Sequence, residues 1–374
     1  MRASGILMHI SSLPSGFLIG TLGKSAYEFA DFLKAAGQRY WQILPISPTS
    51  YGDSPYQSFS VYAGNPYFID FVQLEEQGLL EKEDYSGILW QRSSDTIDYE
   101  LLYRSNITVL RRAFARFIRK PARGYASFKK QNPWLADYAL FMALKDEHEG
   151  APWYEWEKGL AMREKAAVDE AKKRLSSEIE LYCFIQFIFS QQWTALKKYA
   201  NTHNVEIIGD MPIYVAYDSA DVWCSPELFA LDEEKRPVEV AGCPPDPFSP
   251  TGQLWGNPLY DWDYHKKTGY QWWIARLRHT AALYDVVRID HFRGFESYYT
   301  IPYGNKDATV GKWRKGPNKA LFLAAKKELG ELRIIAEDLG FITPGVRKML
   351  DALGYPGMKV LQFGFSDAEN EHLP

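Results

Sequence analysis

The sequence predicts an α/β protein built on parallel strands. Three features carry that expectation: short, near-continuous apolar runs ending in polar or glycine-rich loops, helical stretches between most of them, and carboxylates at the ends of two runs. A strand buried on both faces reads as such a run, because neither of its alternating sets of side chains meets water.

In chain order the candidate strands are Gly5 to Ile10, Trp41 to Ile46, Val205 to Gly209, Asp285 to Ile289, Arg333 to Ala336 and Met358 to Phe363. Candidate helices lie at Ser25 to Ala36, Trp272 to Leu283, Pro317 to Leu329 and Pro344 to Leu353. The alternation fits a βα barrel or a doubly wound sheet, and in both the chemistry sits at strand C-termini. Two stretches break the rhythm. Residues 99–201 read as a helical insertion, in which Asn132 caps a helix with Pro133 at its first position and the charged stretch Arg163 to Glu180 runs into apolar Leu181 to Phe189. Residues 219–264, rich in Pro, Gly, Trp and Asp, read as loops built over a site. The chain 1–374 is thus expected to form a single catalytic domain carrying two insertions.

Composition narrows the function. Of the 374 residues, 46% are hydrophobic and 24% charged, as in ordinary globular proteins. Lys and Arg number 43 against 47 Asp and Glu, and no basic block of the kind that grips phosphate backbones occurs, so no nucleic-acid partner is expected. Aromatic residues make up 15%, many in Gly/Pro-rich segments, where flat faces beside polar groups suit neutral rings such as sugars. The ordinary role of such side chains is core packing, which stays open for each of them. Cys183, Cys224 and Cys243 lie far apart with no Cys-x-x-Cys pair, which encodes neither a disulfide framework nor a zinc site and points to a reducing cytoplasm. The N-terminus lacks a signal-peptide pattern, and the richest apolar run is too short for a bilayer, so no membrane association is expected. There is no phosphate-binding Gly-x-x-x-x-Gly-Lys-Ser/Thr, no Gly-x-Gly-x-x-Gly after a strand and no His-Glu-x-x-His, so neither cofactor nor metal is expected. No obligate protein partner is evident.

The sharpest motif is the run Val286-Val287-Arg288-Ile289-Asp290-His291-Phe292-Arg293-Gly294-Phe295. Side chains alternate along a strand, so Arg288 and Asp290 share one face. A guanidinium there favours the ionised carboxylate, as a nucleophile attacking an anomeric carbon requires. A purely structural Arg-Asp pair is the competing reading. A second strand ends in Ile334-Ile335-Ala336-Glu337-Asp338, placing another carboxyl at the same rim 47 residues after Asp290. Two carboxyls facing each other at roughly 5–5.5 Å are set up for retaining glycosyl transfer. Desolvation and the nearby anion would keep Glu337 protonated, first as acid and then as base. Asp338 is the alternative reactive carboxyl, and a loop polar pair the bland one.

Four further segments, Gly52-Asp53-Ser54-Pro55-Tyr56-Gln57-Ser58, Gly209-Asp210-Met211-Pro212-Ile213-Tyr214-Val215, Pro244-Pro245-Asp246 and Thr251 to Tyr260, join the two acid-bearing strands in a pattern that resembles the amylomaltase family of 4-α-glucanotransferases. The resemblance runs from Gly5-Ile6-Leu7 to Gln362-Phe363-Gly364-Phe365. It implies a (β/α)8 TIM barrel with helical and loop insertions, acting on malto-oligosaccharides, starch or glycogen-derived glucans. By the same resemblance Asp290 is the nucleophile, Glu337 the acid/base, and Arg288 and His291 bind the sugar beside them. Ser54 and Tyr56 look like donor-side contacts, Asp210 a strand-end site residue, and Asp246, Gln253 and Trp255 parts of a loop folded over the scissile bond, with Phe248 on the same wall. Asp367 resembles a further sugar contact. Pro247 stands where some relatives carry an aromatic, which removes a stacking platform there.

The family's third carboxylate, an Asp after a His on a later strand, has no counterpart past Glu337. With six candidate strands against the eight of a closed barrel, the expectation is a barrel lacking its last two βα units, with weak or no activity in this chain alone. Two other readings remain: an α-glucan hydrolase of the α-amylase clan, and a non-catalytic glucan-binding protein.

Overall fold

A computed structural model describes residues 2–88 and 96–365. The chain divides into two compact units, Met1–Ile207 with Asp218–Ser225, and Ile208–Tyr217 with Pro226–Pro374.

In the first unit, β1 (Gly5–Leu7) and β2 (Tyr40–Gln42) pair in parallel, with Gly5 opposite Tyr40 and Leu7 opposite Gln42. A Cβ on Gly5 would lie 2.5 Å from the Tyr40 carbonyl oxygen, so only glycine allows this approach. The crossover between them is the helix Lys24–Ala35, which buries Ala26, Ala30 and Leu33, one stripe at helical spacing.

The helical insertion centres on the helix Ser176–Thr202, whose Leu181 to Phe189 segment is wholly buried and packs against the helices Tyr99–Phe117 and Trp134–Glu147. Gln186, which interrupts that apolar run, is there for a reason: its amide accepts from the Gly64 N–H (2.7 Å) and donates to the Gly64 carbonyl (2.9 Å). Gln192 clamps Asp70 in the same way, at 2.8 and 3.0 Å. Each side chain imitates a strand neighbour and satisfies both polar groups of a buried loop residue. The expected Asn132 cap is not formed. The helix starts at Trp134 with Pro133 preceding it, while the Asn132 side chain donates to the Phe128 carbonyl and accepts from the Trp134 indole, closing the previous helix instead.

The second unit contains β3 (Glu206–Met211, from Ile208 onward), β4 (Glu239–Cys243), β5 (Gln253–Pro258), β6 (Val286–Ile289), β7 (Ser297–Pro302), β8 (Lys312–Lys315) and β9 (Ile334–Ala336). Strands β3, β6 and β9 are neighbours and parallel, with Asp210 opposite Arg288 and Arg288 opposite Ile335. Helices Gln271–Leu283 and Ala320–Leu329 precede β6 and β9. The fold is therefore α/β with parallel strands, as the alternation predicts.

Two expectations are corrected. Met358 to Phe363 forms no strand: Met358 N–H donates to the Asp338 carboxylate, and the segment ends in a 3-10 turn at Leu361–Phe365. Apolar composition makes a strand only where a ladder partner exists. Residues 219–264 are not loops alone. β4 and β5 belong to an antiparallel sheet of order β5-β4-β7-β8, packed on Val240, Tyr299, Ile301 and Ala308. Among the described residues no helix is long and apolar enough to cross a membrane.

Gly209 precedes Asp210 in β3, and a Cβ there would fall 2.2 Å from the Tyr284 ring. Gly209→Ala is expected to lower stability by about 1–3 kcal/mol through overpacking, read as a lower urea midpoint. An unchanged midpoint would show that the ring gives way without cost.

Candidate active site

The parallel register sets the charges. Asp210, Arg288 and Asp290 occupy the C-terminal tips of β3 and β6, and the guanidinium of Arg288 bridges both acids, 2.6 Å to Asp210 and 3.0 Å to Asp290. The Arg288 Nε also points at the Met358 sulfur, 3.3 Å away. Asp210 is 2% exposed at its side chain and Arg288 13%, whereas Asp290 keeps 31% open. Asp210 is thus the buried counter-charge and Asp290 the accessible one. Burial raises the Asp290 pKa, while the Arg288 charge and hydrogen bond, and the His291 amide, pull it back.

Glu337 follows β9. Its backbone N–H donates to the Ile289 carbonyl (3.0 Å), which extends the β6–β9 ladder to the rim. One carboxylate oxygen accepts from the His291 N–H and the other from the Leu339 N–H, both at 2.8 Å. Burial raises the Glu337 pKa, the negative Asp290 adds to it, and the two amides and Arg288 oppose. The Asp290 carboxyl and the Glu337 carboxyl therefore feel each other across the His291 turn. The neighbouring Asp338 turns away and accepts from the Met358 N–H at 2.7 Å, which spends it on the loop.

His291 has φ 48°, the left-handed region that a non-glycine residue adopts at a cost of about 1–3 kcal/mol. That turn aims its amide at Glu337. Its imidazole is pushed down to about 3 by burial and the Arg293 charge, so it is neutral, and its Nε2 has no protein partner among the described residues. The Trp255 ring meets it edge to face at 4.9 Å. The Trp255 indole N–H donates to the Gln253 side chain at 3.0 Å. Asp246 accepts from the Phe248 and Ser249 amides at 2.8 and 2.7 Å, an Asx turn that shapes the same loop. Phe248 is exposed and stacks on Phe363.

The structure thus brings Asp210, Arg288, Asp290, His291 and Glu337 together, with Trp255 and Gln253 joined to them through His291. Ser54 and Tyr56 lie in the first unit, half-buried, where the Ser54 hydroxyl accepts from the Tyr56 N–H just after a 3-10 turn, Tyr51–Asp53, that contains Gly52 at φ 78°. Asp367 lies outside the described residues. What sequence reasoning missed is backbone: the His291 and Leu339 amides that hold Glu337. Their only trace is Gly294, where a Cβ would stand 2.7 Å from Ile213 and 3.1 Å from the His291 ring. Among the described residues no cluster of three or more His, Cys, Asp or Glu side chains is arranged to hold a metal.

The 4-alpha-glucanotransferase family of glycoside hydrolases matches residues 8–374. The chain is 50% identical to a 4-alpha-glucanotransferase of Clostridium butyricum over 98% of its own length and 76% of the relative. It is also 50% identical to that of Thermus thermophilus, over 100% of its length and 75% of the relative. Among solved structures, an amylomaltase from Streptococcus agalactiae in complex with acarbose superposes with a TM-score of 0.96 at 44% identity, covering 99% of this chain and 76% of the other.

Removing Arg288 takes a cation away from 2.6 Å of the buried Asp210. Arg288→Met is expected to cost about 3–5 kcal/mol, and adding Asp210→Asn should restore roughly half of it. Denaturant titration of both variants checks this, and equal stabilities would argue against the bridge.

Proposed function

The chain belongs to the 4-α-glucanotransferase family, which transfers α-1,4-glucan segments between sugar acceptors, and from that premise we propose how its own residues do so. Asp290 attacks the anomeric carbon of a bound malto-oligosaccharide, starch or glycogen-derived glucan. As that bond forms, the glycosidic C–O bond breaks and the Glu337 proton passes to the departing oxygen. A sugar hydroxyl then gives its proton to the Glu337 carboxylate and attacks the same carbon, which releases Asp290 with the configuration retained. The observation that carries this reading is the placement of the two acids on neighbouring strand ends: Asp290 has the Arg288 guanidinium at 3.0 Å, Glu337 accepts from two backbone amides at 2.8 Å, and burial raises the pKa of both.

The remaining assignments are part of the same proposal. Arg288 keeps Asp290 charged and oriented, and the neutral His291 and Asp210 line or brace the sugar site. Ser54, Tyr56 and Asp367 take further donor sugars. Asp246, Gln253 and Trp255, in the Cys243 to Tyr260 segment, form a lid that excludes water so that the glycosyl-Asp290 ester waits for a sugar. The parallel strands are arcs of a (β/α)8 barrel that carries its active site, like others of the kind, at the strand C-termini. All three cysteines are free thiols, which suits a cytoplasmic protein.

With maltotriose as substrate, and set against the weak rate expected of the parent chain, Asp290→Asn and Glu337→Gln are each expected to abolish detectable transfer. A normal ladder of longer products from Asp290→Asn would end the nucleophile assignment. The pH profile of kcat/KM should be bell-shaped. Protonation of Asp290 sets the acid limb above its ordinary 3.8, because burial raises it, and loss of the Glu337 proton sets the alkaline limb above 4.5. Opening the lid by Trp255→Ala should raise hydrolysis relative to transfer, read as reducing ends per chain transferred. An unchanged ratio would remove Trp255 from that role.

A further inference from the structure

A cleft lined by residues that follow both proposed catalytic acids in the chain has a cavity of about 730 Å³, within the range of small-molecule sites. One wall holds Arg293, three residues past Asp290, and another holds Phe341, four residues past Glu337, so both catalytic segments run directly into it. Trp313 of β8, 42% exposed, and the lid residue Pro244 complete its apolar lining. The Trp313 ring is held by two neighbours: the Arg293 guanidinium lies 4.0 Å from its centroid and Tyr299 meets it edge to face at 5.4 Å. Arg293 is itself held by the Phe341 carbonyl and the Ser297 hydroxyl.

Two of the three cations of the lining are already ion-paired. Arg314 pairs with Glu239 at 2.8 Å and Lys315 with Glu296 at 2.5 Å, while Arg293 is spent on backbone, hydroxyl and ring. Arg293 bonds only neutral acceptors and its buried Nε has no hydrogen-bond partner among the described residues, so it is the aromatic lining rather than the charge that favours a neutral ligand. A rigid indole with polar side chains at its margin suits a neutral ring bearing many hydroxyls. The geometry points to this cleft as an additional subsite for an α-1,4-glucan chain, occupied by sugars beyond those at Asp290 and Glu337, with Trp313 and Phe341 as its platforms. The assignment rests on the glucan-transfer reading above.

The test uses calorimetric titration of the intact protein carrying Asp290→Asn, so that no turnover intervenes, with maltotriose and maltoheptaose as probes. Trp313→Ala is expected to weaken maltoheptaose about fivefold more than maltotriose, in line with the loss of one stacking contact. Trp313→Phe should recover most of that difference. Phe341→Ala, whose carbonyl still receives Arg293, should act in the same direction and serves as the second variant if Trp313→Ala does not fold. Equal weakening of both sugars, or none, overturns the subsite while leaving the catalytic reading intact. No binding of either sugar to the parent protein sinks both together.

Discussion

The site depends on one guanidinium held between two carboxylates on adjacent parallel strands. Arg288 reaches Asp210 on β3 and Asp290 on its own strand at 2.6 and 3.0 Å. A buried ion pair is a weak source of net stability, because desolvation consumes most of the Coulomb gain, but breaking it leaves a stranded charge. Its consequence here is positional. Asp210 is sealed and Arg288 nearly so, which fixes the cation and lets the more open Asp290 ride on it. Because strand side chains alternate with period two, a slip of one residue between β3 and β6 would point Asp210 away from Arg288. The apolar residues of β6, Val286, Val287 and Ile289 among them, are buried and hold this register, and with it the cation beside Asp290.

The second acid is positioned by main chain. Strand β9 hands Glu337 to the rim through the Ile289 carbonyl, and the left-handed His291 turns its amide toward the Glu337 carboxylate. Backbone donors have no rotamers to lose, so they hold a carboxylate with less entropy than a side chain would. The Gly294 close approach and the buried aromatic group of Phe292, Phe295 and Phe322 keep that turn from relaxing. Strain at His291 and packing beneath it are two sides of the same arrangement.

How much of this was legible in the sequence follows from the range of each interaction. Arg288 and Asp290 are two residues apart on one strand, so period two alone places them together. Glu337 at the end of the next apolar run was legible as a rim residue for the same reason. The Arg288 link to Asp210, 78 residues away, required the strand order, which no local pattern contains. The glutamine brackets on Gly64 and Asp70 span 122 residues: Gln186 reads locally as a break in an apolar run, and Gln192 carries no local signal at all. Sheet β5-β4-β7-β8 was hidden because β4 and β5 sit in a stretch whose Pro, Gly and Asp content signals turns. The opposite error, a strand at Met358 to Phe363, came from composition without a partner: Asp338 takes the Met358 amide.

The opposing influences on Glu337 have a further consequence within the proposed mechanism. Before reaction the Asp290 charge and burial favour the protonated acid, and two amides at 2.8 Å favour the anion. Once Asp290 is esterified by the sugar its negative charge is gone, and one of the two influences that favour the proton on Glu337 goes with it, while burial and the amides remain. The balance then tips toward the carboxylate, which is the form needed to take a proton from the incoming hydroxyl. The same groups, without moving, thus favour an acid in the first half of the cycle and a base in the second. The cost of the strained His291 turn is repaid at this point, since it supplies one of the two donors that stay in place when the anion across the site disappears.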